Sequence, residues 1–107
     1  MELSRNDWKL FRERLSGWQE RYMDKLACEY AEFLTDDSRQ PSERFWALNN
    51  RIREDRRKPG VQLELRKQNV VFDLAHLIAD GAVSLDELDG FSEKLQNMVR
   101  ELSQKQV

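Results

Sequence analysis

NVVFDLAHLIADG, residues 69–81, decides the fold, because it is apolar almost all the way round a helix. At about 100° per residue, Val70, Val71, Phe72, Leu74, Ala75, Leu77, Ile78 and Ala79 cover most of the circumference. Asn69, Asp73, His76 and Asp80 are left in one narrow polar sector. Such a helix belongs at the centre of a fold, so residues 69–80 are read as a hub that the other helices cover. Gly81 is placed to close it as a glycine just past the helix end. The expected fold class is all-α: a compact bundle of five or six helices around this central helix, in one domain over residues 1–107.

Working back from the hub, a longer helix would put Lys67 among its apolar residues, so the start lies near Asn69. Val61-Gln62-Leu63-Glu64-Leu65 alternates like a strand, but a strand without a partner is unstable, and the segment is read as a helical turn or an extended connector. Before it, Pro41 suits the first turn of a helix that must stop ahead of Pro59. Its apolar side is Phe45, Leu48 and Ile52, with Trp46 on a flank. Thr35-Asp36-Asp37-Ser38 ends the preceding helix near Leu34, since these side chains compete for backbone hydrogen bonds.

At the N-terminal end, Ser4 is an N-cap and Trp8, Phe11 and Leu15 recur at helical spacing. Ser16-Gly17, with Gln19 completing a capping box, predicts that a second helix starts there. The apolar period nevertheless continues through Trp18, Tyr22, Leu26, Tyr30 and Phe33, as one kinked helix would have it. Beyond the hub, Ser84 and Glu87 form another capping box around a short helix at Leu85 to Leu88, which Gly90 interrupts. Phe91, Leu95, Met98, Val99 and Leu102 then share one face of a last helix running to about Ser103.

Composition bounds the function. Hydrophobic residues make up 39% and charged residues 36% of 107, and no run approaches the ~18 apolar residues of a membrane span. The start, MELSRNDWK, lacks the apolar core of a secretion signal. The expectation is a cytoplasmic protein with no membrane partner. A single cysteine, Cys28, excludes an intramolecular disulfide and any cysteine-cluster metal site. The net charge of −2 exerts no global pull on nucleic acid, so binding there needs a local patch.

That patch is Arg51, Arg53, Arg57 and Lys58, with Arg66 and Lys67 beyond the turn, although Glu54 and Asp55 sit among them. His76 is flanked by Asp73 and Asp80 at spacings compatible with a metal, but a site needs further ligands from elsewhere, and a polar strip where the hub meets water accounts for all three. Ser16, Ser84, Ser92 and Cys28 lie in no nucleophile–histidine–acid motif, so no catalytic residue, cofactor or metal is assigned. Glu29 falls on the apolar stripe of the second helix, and Asn49 and Arg56 on that of the third. A buried charge needs a partner, so Glu29 is expected to pair with Arg56 or accept a hydrogen bond from Asn49. Trp46, off its stripe, is the candidate partner contact.

WQERYM (18–23), FWALNNRIREDRRKPGV (45–61), VFDLAHLIADG (71–81) and DELDGFS (86–92) resemble a family of small uncharacterised bacterial helical proteins, some of which are labelled multidrug transporters. The resemblance covers nearly the whole chain. It implies a short helical cytoplasmic protein and brings no functional residues with it. Transport across a bilayer finds no counterpart here, where charges run throughout and no segment can span. The functional expectation is a non-enzymatic interaction or accessory factor that binds another protein; the alternative is a nucleic-acid-binding factor using the basic segment 51–67.

Overall fold

The computed structural model describes residues 3–105; residues 1–2 and 106–107 of the expected domain lie outside the described residues. Four α-helices make up the fold: α1 (Arg5–Leu34), α2 (Pro41–Asp55), α3 (Val70–Ala79) and α4 (Glu93–Lys105). Two single 3-10 turns, Lys67–Asn69 and Leu85–Leu88, precede α3 and α4. The described residues include no strand. The chain is therefore all-α, but with four helices and not five or six, because the segment around Leu85 forms only a 3-10 turn and the break near Gly17 does not occur.

α1 is continuous over 30 residues. At ~1.5 Å per residue it spans ~45 Å and sets the long axis of a molecule measuring 51 × 26 × 21 Å. The glycine penalty of ~1 kcal/mol at Gly17 is overridden by tertiary anchors on either side. Leu15 and Trp18 are buried, Arg14 donates to the carbonyls of Glu87 and Asp89, and Arg21 donates to the Ala82 carbonyl and the Glu87 carboxylate. Gln19 forms no capping box; its amide donates to the Pro59 carbonyl at 2.9 Å.

The core lies where the first two-thirds of α1 meets α3 and α4. Phe11, Leu15, Trp18, Tyr22 and Leu26 pack with Val70, Leu74, Leu77, Leu88, Leu95 and Val99. α3 is central on one side only. Leu74, Ala75 and Leu77 are fully enclosed, whereas Phe72 is 58% exposed and His76 faces solvent. Gly81 ends α3 at φ 78°, with Ala82 N–H bonded to the Leu77 carbonyl and Gly81 N–H to that of Ile78, the pattern in which a left-handed glycine satisfies the last carbonyls of a helix. The Ser84–Glu87 capping box forms as expected. Residues 62–66 are an extended connector whose Leu63, like Val61 just before it, packs on the core.

Asp7 is buried in this core region at 1% exposure. Its carboxylate accepts from the Ser92 backbone N–H at 2.8 Å and from the Ser92 hydroxyl at 2.6 Å. Ser92 in turn accepts from Leu95 N–H at the start of α4. One acid on the first turn of α1 thereby fixes where the last helix begins.

Candidate interaction surface

Beyond Leu26 no residue of α1 is fully buried, and this end of the helix forms a hairpin with α2. Thr35 closes α1 by donating its hydroxyl to the carbonyls of Ala31 and Glu32, and Asp36 receives the Ser38 N–H and hydroxyl in a tight turn. Pro41 opens α2 at its first position.

The two helices are held together by a polar node. Asp55, 5% exposed, is the sole buried residue of α2. The Tyr30 hydroxyl donates to its Oδ2, Arg51 Nε lies 3.4 Å from the same oxygen, and Lys58 Nζ lies 3.3 Å from Oδ1. Arg51 also donates to Glu29 at 2.6 Å, and its guanidinium stands 5.2 Å from the Tyr30 ring centre. Burial pushes the Asp55 carboxyl up, but the hydrogen bonds from Tyr30 and Lys58 and the charges of Lys58 and Arg51 outweigh it and hold the group below its ordinary value. Burial and the bond to Asp55 push the Tyr30 phenol up to about 12.

Glu29 thus pairs with Arg51, not with Arg56 or Asn49, both of which are exposed. The reason is a rotation of α2 by about 80° from the orientation its apolar residues predict. Ala47, Leu48, Arg51 and Asp55 face α1, because that side completes the network around Asp55. Sequence patterning misses the node since Asp55 lies within a run of charges; Tyr30 on the opposite helix supplies the buried partner.

The same rotation turns apolar residues outward. Phe45 is 63% exposed and Trp46 60%, their rings edge to face at 5.0 Å, and Ile52 is half-exposed on the next turns. Between Ile52 and the capping residue Arg56 at the end of α2 and Met23 and Ala27 on α1 opens a groove of about 350 Å³, lined also by Leu26 and Tyr30. Its walls are apolar apart from the Asp55–Arg56 edge.

The six basic candidates do not converge. Arg51 and Lys58 are engaged by Asp55, and Arg66 by Glu64 at 2.8 Å. Lys67 is exposed in the turn before α3. Arg53 and Arg57 share a shallow depression with Asn50 and Glu54, and neither has an ion pair among the described residues. Cys28 is an exposed free thiol. His76 is exposed, and no group of three or more His, Cys, Asp or Glu residues comes together as a metal site among the described residues. Nor is any helix among them long and apolar enough to cross a membrane.

No family model, curated protein or solved structure matches the chain.

Proposed function

We propose that the protein is a non-enzymatic cytoplasmic interaction factor that binds another protein through the outward face of α2. The observation that carries this reading is the adjacent pair Phe45 and Trp46, each about three-fifths exposed on an ordered helix. Aromatic side chains bury large areas at little entropic cost, which is why they anchor interfaces. Two of them side by side, with Ile52 and an apolar groove one to two turns further on, form a contiguous patch.

Pull-down from a native lysate, repeated after nuclease treatment, tests it. A specific protein recovered by the wild type and lost with Phe45→Ala/Trp46→Ala supports the reading, and recovery indifferent to both substitutions defeats it. Arg53 and Arg57, exposed and without ion pairs among the described residues, favour nucleic acid as the second reading. Salt-dependent DNA or RNA binding that falls when Arg53 and Arg57 are reversed to Glu moves that reading ahead.

A further inference from the structure

Phe45, Asn49 and Ile52 follow one another along α2 at steps of four and three residues, and Arg56, the residue that caps the helix in helical geometry, continues them four further on. This is the spacing at which one helix packs lengthwise on another. All four are exposed, so the seam has no helix against it among the described residues. Its two ends differ in shape. Phe45 projects at one end; the groove beside Ile52 and Arg56 opens at the other, about 10–16 Å further along the helix. A knob and a hole on the same stripe are complementary to themselves when the stripe is turned end to end.

Resting on the interaction reading above, we propose that the occupant of this face is a second copy of the chain, with the two α2 helices packed antiparallel about a twofold axis between Asn49 and Ile52. In that register each Phe45 enters the groove of the other copy, opposite Arg56, and each Trp46 lies beside Arg53. The aromatic half of one seam meets the cationic half of the other. The same contact recurs within the chain: Arg12 on Trp8, Arg14 on Phe91, Arg39 on Phe33 and Arg51 on Tyr30 all stand 5.1–5.2 Å from the ring centre. Arg53, Arg56 and Arg57 have no ion pair among the described residues and are available for it. A parallel pairing would set these arginines against each other, and like charges across an interface are unfavourable.

Sedimentation of the full chain over a wide concentration range tests the proposal. The wild type is expected to pass from monomer to dimer, and Phe45→Ala and Arg56→Glu are each expected to weaken the dimer about tenfold or more, since each removes a contact twice. Both positions are exposed, so the melting temperature of the dilute protein should not move. Spin labels at Asn49→Cys, in a Cys28→Ser background, should read a short distance across the axis, and labels at Lys94→Cys on α4 a long one. A wild type that stays monomeric at the highest concentration, or a dimer indifferent to both variants, overturns the proposal. A monomer that still loses a lysate partner on Phe45→Ala also overturns it, while leaving the interaction reading intact with a different protein on this face.

Discussion

The hydroxyl of Tyr30 on α1 donates to Oδ2 of Asp55 on α2 at 2.5 Å, joining the two arms of the hairpin at the one buried position of α2. Asp55→Ala takes the acceptor from Tyr30, Arg51 and Lys58 at once. The expected loss of unfolding free energy is about 2–3 kcal/mol, discounted because the two cations keep access to water. Tyr30→Phe leaves both cations in place on Asp55 and should cost about 1 kcal/mol. Denaturant unfolding of the two variants measures both values.

Acid should act on the same node. The folded-state carboxyl of Asp55 lies below its ordinary 3.8, and that of Glu87, hydrogen-bonded by Arg21, below 4.5. A group depressed in this way contributes stability that is present above the unfolded value and lost as pH falls through the folded one. The melting temperature should therefore drop below about pH 4, and less steeply in Asp55→Asn. At the alkaline end the sign reverses. Tyr30, raised from 10.0 to about 12, favours the fold below pH 10 and ceases to as pH climbs through 12. Absorbance of tyrosinate across that range should show Tyr30 ionising late, and Tyr30→Phe should remove that component.

Asp7→Ala should be the most damaging change at the opposite end of the molecule. It empties a buried acceptor position and strips the N–H and hydroxyl of Ser92, itself at the surface, of their partner, with an expected cost of about 2–3 kcal/mol. Ser92→Ala removes the hydroxyl and its contact with Leu95 N–H, and should cost about 1 kcal/mol. Thermal unfolding of both variants tests the ranking.

Asp73 should behave in the contrary way. Burial raises its carboxyl above 3.8, the nearby His76 opposing, and its Oδ2 is buried without a hydrogen-bond partner among the described residues. Its charged form is disfavoured by the fold, so its contribution is favourable only below about pH 3.8 and fades as pH rises through the folded value. Asp73→Asn is expected to stabilise the protein at pH 7, by about 0.5–1 kcal/mol, and to confer nothing at pH 3. Parallel urea titrations at the two pH values decide it.

How much of this was legible in the sequence follows from what each element is held by. The buried face of α1 can be read directly, because Phe11, Leu15, Trp18, Tyr22 and Leu26 keep one helical period and burial is their role. The end of α1 at Leu34, the entry at Pro41, the close at Gly81 and the Ser84–Glu87 box are equally readable, since local chemistry fixes each. Gly17 misleads because a local penalty of ~1 kcal/mol is weighed against anchors from residues more than sixty positions away. The rotation of α2 is unreadable for a related reason. Periodicity assumes that the apolar side turns inward, whereas the partner of Asp55 is a tyrosine on another helix. The basic segment looks like one patch in sequence, but Arg51, Lys58 and Arg66 are engaged by carboxylates in space, leaving Arg53, Arg57 and the distant Lys67.

α1 is a single rod serving two assemblies of unequal strength. Its first two-thirds is clamped by a contiguous apolar core; its last turns hold α2 by one polar node and half-buried contacts. The hairpin should therefore open and reclose as a unit while the core stays shut, so that amides of α2 exchange with deuterium sooner than those of α1 between Phe11 and Tyr22. Asp55→Ala should speed exchange in α2 and leave that of Leu74 and Leu77 nearly unchanged. Whatever covers Phe45 and Ile52 would then do more than occupy a surface: by binding the closed hairpin alone, it would act as the latch that this end of the molecule lacks.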